Sequence, residues 1–441
     1  MTKRHHKVLA PRGTVPRAPP AAEEAIAPLL ILHAQELVTM AGEEGPRRGR
    51  AMRELRVIPD GGLYASEGAI RDVGSSHEME SRYSDVAEVI DATGKTVVPG
   101  FVDAHTHLVF AGSREDELEW KAQGLTYAEI AERGGGILRT VKATRAAPEE
   151  GLYVAARARL DVMLAHGTTT VEGKTGYGLT IEDEMKMLRV LERLQEGHPA
   201  TVVPTFLGAH AVPPEYEGRA DEYVDLLARE ALPSVAAKTS ARFCDVFVED
   251  GYFSGDQARR LLSEAERLGL STKLHADEFS DGGGAALAAE VGASTADHLV
   301  YASSDGIRKM AERGSIAVLL PASSLASRIP FAKGRHFVDM GVPVALGSDF
   351  SPNCWTESMG LVVSLAAHQL GLTPAEALTA ATINGAHAVG LGREVGSLEV
   401  GKRADLLVLD VPDHRHLAYR IGGRVVETVI KDGRVVLHRV P

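Results

Sequence analysis

The chain has 441 residues, 44% of them hydrophobic and 5% aromatic, enough for one large core and a smaller second one. Its 60 acidic against 48 basic residues give a net charge of −12, which argues against a nucleic-acid surface and against anionic lipid as partners. Only two cysteines, Cys244 and Cys354, are present, which excludes a disulfide framework and suits a reducing cytoplasm, and no apolar stretch approaches the length of a membrane span.

In chain order, residues 1–27 are basic, then rich in Pro and Ala without periodicity, and are expected to form a mobile extension. From 28 to 96, short apolar runs such as Leu30-Ile31-Leu32 and Leu55-Arg56-Val57-Ile58, broken by Gly and charge, predict β-strands. Residues 395–441 repeat that character in Ala404-Asp405-Leu406-Leu407-Val408-Leu409 and Thr428-Val429-Ile430, so the two ends are expected to form one small β-sandwich. Between them, over 97–394, β-type runs alternate with helical segments, the mark of a parallel α/β architecture. Strands are predicted at 97–102, 168–171, 201–207, 243–248, 272–274, 294–296, 316–320 and 343–346, with helices at 151–165, 182–195, 256–268 and 374–389. Eight such units fit a closed (β/α)8 TIM barrel better than an open sheet.

In such a barrel the reactive groups belong at the C-terminal ends of the strands. His105-Thr106-His107 follows the first strand, and in extended backbone residues two apart point the same way, so both imidazoles can converge on one ion. Later strand ends carry Glu172, Lys174 and Tyr177, then His210, Glu249, His275 with Glu278, His298 and Asp349. Three imidazoles and a carboxylate, His105, His107, His275 and Asp349, suit a zinc ion and would tolerate iron. An ion so held brings the pKa of a bound water toward neutrality. Asp349 could accept the water's proton, or could instead be a helix N-cap; His298 could hold the nucleophile or polarise a carbonyl.

Pro99-Gly100-Phe101-Val102-Asp103-Ala104-His105-Thr106-His107, His275-Ala276-Asp277-Glu278, Gly347-Ser348-Asp349 and the run 396–405 resemble the amidohydrolase superfamily. Within it, His107-Leu108-Val109-Phe110-Ala111-Gly112-Ser113-Arg114, Gly134-Gly135-Gly136-Ile137, Lys174-Thr175-Gly176-Tyr177-Gly178, Gly208-Ala209-His210-Ala211 and Ala296-Asp297-His298-Leu299 are similar to the imidazolonepropionase family, cyclic-amide hydrolases of histidine degradation. The similarity runs from about residue 29 to the end of the chain. It implies a cytoplasmic homodimer with one Zn or Fe ion per subunit, hydrolysing 4-imidazolone-5-propanoate to N-formimidoyl-L-glutamate with a metal-activated water. A deaminase of a small heterocycle is the alternative within the superfamily, and a non-catalytic barrel the alternative outside it.

By the same resemblance Arg114 meets the substrate, and its guanidinium fork suits a propionate carboxylate. Tyr127, Tyr177 and His210 line the pocket, although Tyr127 could equally open a helix with its ring packed. Glu278 bonds a ring nitrogen and assists proton transfer. Product contacts are implied for Ser351, Asn353 and Cys354, where Ser351 replaces the family's usual Asn with a shorter donor. Strand four reads Phe243-Cys244-Asp245-Val246-Phe247-Val248-Glu249, without the carboxylated lysine of binuclear relatives, so a single metal is favoured. Lys174 is expected to be an ion-pair partner and not a ligand.

Overall fold

The apolar run predicted as one strand over 97–102 is two strands in different sheets, and Gly100 is where the chain crosses between them. A Cβ at Gly100 would stand 2.1 Å from Thr169 Oγ1, so only glycine lets the backbone pass that close. The computed structural model describes residues 26–83, 85 and 88–439; all but the last two residues of the expected extension lie outside that set.

Beyond Gly100, β1 (Phe101–Asp103), β2 (Thr168–Lys174), β3 (Thr201–Ala209), β4 (Phe243–Val248), β5 (Ser271–Ala276), β6 (Thr295–His298), β7 (Ile316–Leu319) and β8 (Val344–Leu346) pair in sequence order, each parallel to the next. Their buried faces explain the near-continuous apolar runs. The barrel closes where Ala104 N donates to Leu346 O at 3.3 Å and Asp349 N to His105 O at 3.0 Å. Helices alternate with the strands and bury one stripe each: Glu149–Ala165 turns Leu152, Ala156, Leu160 and Met163 inward, a spacing of three and four.

The helix expected over 374–389 is broken into Pro374–Ala380 and Ile383–Ala388. Between them the Ala381 carbonyl leaves the helical ladder and accepts from Val102 N at 2.8 Å, which fastens this pair of helices to β1.

Before Gly100 and after the barrel, strands from both chain ends share one sheet, in which Thr96–Pro99 lies between Leu29–Val38 and Leu406–Leu409. The sheet folds onto itself: Ile70 N donates to Lys402 O at 2.9 Å, and Ile31, Leu63, Ile70, Leu406 and Ile430 meet in one apolar cluster. Among the described residues no helix is long and apolar enough to cross a membrane.

Candidate active site

The strand-end residues predicted from sequence converge at the C-terminal mouth of the barrel. His105 and His107 follow β1, His275 lies in β5, and Asp349 follows β8, its Oδ1 3.5 Å from both His105 Nε2 and His107 Nε2. His275 Nε2 is 3.4 Å from His107 Nε2. Asp349 caps no helix; the next one, Met359–Gln369, is capped by Ser358. Its backbone sits at φ +52°, and Asp103 holds the approach by accepting from Ser348 N at 2.8 Å and Ser348 Oγ at 2.5 Å.

Beneath these donors lies a layer of fully buried charge. Asp297 Oδ2 is 2.6 Å from His105 Nδ1, and Asp245 Oδ2 is 3.1 Å from His275 Nδ1. A carboxylate can only accept, so His105 Nδ1 carries the proton and its Nε2 is left with its lone pair facing the cavity. Lys174 Nζ joins the two carboxylates, 2.6 Å from Asp245 and 3.3 Å from Asp297, and touches Glu172 at 3.0 Å; Lys273 reaches Glu172 at 2.9 Å. Burial alone would raise the Asp245 carboxyl, but Lys174 and His275 bring it below its ordinary range.

Burial holds the imidazoles of His105, His107 and His298 neutral, well below their usual pKa, and pushes Asp349 up to about 6. His105 Nε2 is buried without a hydrogen-bond partner, an arrangement that costs about 1–3 kcal/mol if left so. His105 and His107 group with the Asp349 carboxylate, and His105 also groups with His275 and His298, the donor atoms of each group lying within 4.8 Å of one another, an arrangement that fits a divalent cation.

Next to the donors is a tight cavity of about 40 Å³. Its wall includes Arg114, Tyr177, His210, Glu278, His298, Ser351 and Asn353. Arg114 is 4% exposed, its Nε donating to Thr140 Oγ1 at 2.8 Å, with the guanidinium 5.9 Å from the Tyr177 ring centre. His210 stacks on His107 with ring centres 4.9 Å apart. Glu278 lies 3.5 Å from His298 Nδ1, and burial, with Asp349 nearby, raises its carboxyl well above the ordinary range. Tyr127 opens the helix Tyr127–Glu132 behind a Thr126/Glu129 capping box; its side chain lies outside the described set.

The E. coli guanine deaminase structure covers 94% of this chain and 100% of its own at a TM-score of 0.70 and 16% identity, which shows a shared fold. The amidohydrolase family matches residues 96–436. Curated imidazolonepropionases are 52% identical over 414 residues in Symbiobacterium thermophilum, covering 93% of this chain and 97% of that one, and 50% identical over 416 residues in Geobacillus kaustophilus, covering 93% and 98%. The chain belongs to the imidazolonepropionases of the amidohydrolase family.

In this imidazolonepropionase the loop after Asp349 is held from behind. Asn353 Oδ1 accepts from Lys121 Nζ at 2.7 Å and its Nδ2 donates to Ser327 Oγ at 2.9 Å, while Ser351 Oγ accepts from Cys354 N at 3.2 Å. Cys354 is outside the cavity wall: its sulfur contacts Ser348 O at 3.5 Å and burial raises the thiol well above its usual pKa. Asp245, Asp297, Glu172 and Lys273, which sequence reading left without roles, support the donors. Their signal was present as charge at alternate positions of apolar strands, Glu172 with Lys174 and Lys273 with His275, the face a barrel strand turns to its axis. Arg159 was also unassigned; its guanidinium donates to Leu108 O and Phe110 O, both at 3.0 Å, and pins the segment after His107.

Proposed function

We propose that this cavity is where the enzyme hydrolyses 4-imidazolone-5-propanoate to N-formimidoyl-L-glutamate. The observation that carries the reading is the placement of Arg114, Glu278 and the His/Asp cluster around one small buried space. His105, His107, His275 and Asp349 would hold one divalent ion, zinc or iron, and such an ion, when bound, lowers the pKa of a water toward neutrality. Arg114 pairs with the substrate's propionate and so fixes the ring carbonyl toward Asp349. As water adds to that carbon, Asp349 takes its proton; the ring C–N bond then breaks, and Glu278 supplies the proton the departing nitrogen needs. His298 Nε2, which has no hydrogen-bond partner, is available to hold the water or the carbonyl oxygen. Tyr177 and His210 close the pocket around the ring, and Ser351 and Asn353 border its far wall, with Cys354 supporting their loop. A deaminase of a neutral heterocycle gains nothing from a cation on this wall.

The reading is tested by incubating the metal-loaded protein with freshly generated 4-imidazolone-5-propanoate and following the ultraviolet absorbance. Decay well above the spontaneous rate is expected, and decay at the background rate overturns the assignment. Dialysis against a chelator should abolish turnover, and readdition of Zn²⁺ or Fe²⁺ should restore it with about one ion per chain. Protein that keeps full activity after exhaustive chelation would remove the metal from the reaction. Arg114→Ala is expected to raise KM by about 10–100-fold with kcat little changed, because it removes a charge-assisted contact made in ground and transition states alike. A loss confined to kcat would place Arg114 elsewhere in the mechanism.

A further inference from the structure

The loop carrying Tyr177 is shaped by a carboxylate that the mechanism above does not use. Glu184, 1% exposed, lies in the first turn of the helix Ile181–Gly197 and folds back over the preceding loop. Its Oε1 accepts from Gly178 N and Leu179 N, both at 2.8 Å, and its two oxygens share the Gly176 N–H at 3.2 and 3.1 Å. Three backbone donors gathered on one carboxylate beside a helix N-terminus make a strong clasp. It holds a backbone that side chains resist: Gly176 is at φ +105° and Leu179 at φ +55°. A Cβ on Gly176 would stand 2.8 Å from His210 Nδ1, so this loop meets the histidine closely.

The clasp has a chemical consequence at His210. Gly176 O lies 3.0 Å from His210 Nδ1, and a carbonyl only accepts, so Nδ1 carries the proton. The neutral ring then has Nε2 as an acceptor, and stacking on His107 at an interplanar angle of 12° fixes the plane in which it points. We propose that Glu184 is a positioning residue which, by fixing the Gly176 carbonyl, locks His210 in the Nδ1–H form, so that this wall selects a substrate ring that offers it an N–H donor. The inference rests on the cavity being the cyclic-amide site and deepens it by assigning the hydrogen-bond polarity of one wall.

The test is Glu184→Gln, assayed with 4-imidazolone-5-propanoate at pH 8, where imidazoles are neutral. The glutamine turns an NH₂ toward backbone N–H groups that need acceptors, so the loop should shift and KM should rise about tenfold or more with kcat within about threefold and the metal content unchanged. A purely structural role lowers the active fraction, and so kcat, without moving KM; that result, or an unchanged KM, overturns the proposal. The second measurement uses the wild-type zinc-loaded protein labelled with ¹⁵N-histidine, in which the His210 resonances are identified by their loss in His210→Asn. An Nδ1–H tautomer is expected, and an Nε2–H tautomer overturns the proposal even if Glu184→Gln does not fold. Absence of wild-type turnover sinks the cyclic-amide reading and this inference with it, whereas normal wild-type turnover with an unmoved KM in the variant sinks the inference alone.

Discussion

Replacing Asp349 by alanine is expected to lower kcat by about 10⁴-fold or more and to cost the protein its metal. The side chain stands at the meeting point of the first and last barrel strands, 3.5 Å from two imidazole nitrogens, and it is the carboxylate that would balance the charge of a bound cation. Its alanine variant therefore loses a ligand and a proton acceptor together. Asp349→Asn separates them. The amide keeps an oxygen for the cation and a similar shape, but cannot take a proton from water, so the ion should remain at about one per chain while kcat still falls by about 10²–10⁴-fold. Metal analysis beside steady-state rates decides the point: an asparagine variant that turns over at the wild-type rate would move the proton acceptor to another group, with Glu278 the next to examine.

The ring of ligand candidates was legible because a barrel presents its strand ends to one place, so His105, His107, His275 and Asp349 could be read from local patterns more than 240 residues apart in sequence. The layer beneath them was harder to read. Asp245 and Asp297 lie inside apolar runs, where a lone charge looks like an interruption of a strand; only the closed sheet shows that each points at an imidazole and that Lys174 joins them. Lys174 itself was placed as an ion-pair partner from its position, although its partners could not be named. The boundary at Gly100 escaped the pattern because both halves of the run are equally apolar, and what separates them is a contact with Thr169. The break at Ala381 likewise depends on a hydrogen bond to β1, formed only once the barrel exists. Cys354 shows the limit of position alone, since adjacency to a site loop does not settle which way a side chain turns.

Lys174→Met is expected to weaken metal binding by about 10–100-fold and to destabilise the protein by about 3–5 kcal/mol, although Lys174 need not touch the ion or the substrate. The ammonium, 0% exposed, is shared by Glu172, Asp245 and Asp297, and the pull of these three carboxylates outweighs the effect of burial and raises its pKa above the ordinary lysine range. Without it three buried carboxylates share only Lys273, which reaches Glu172 and neither of the other two within ion-pair distance. Burial already raises the Asp297 carboxyl, and losing Lys174 removes the stronger of the two lysine charges that oppose that, so Asp297 is the group that takes up a proton. A protonated Asp297 is a poorer acceptor for His105 Nδ1–H, and His105 then loses its fixed tautomer along with the orientation of Nε2. Lys273→Met serves as the comparison, since it should lower stability but change metal affinity by no more than about threefold. Thermal unfolding of the metal-free proteins and competitive titration of zinc against a chelator measure the two effects separately. Equal losses of affinity in both variants would mean that net charge alone matters here, and that the bridge from Asp245 to Asp297 does not orient the imidazoles.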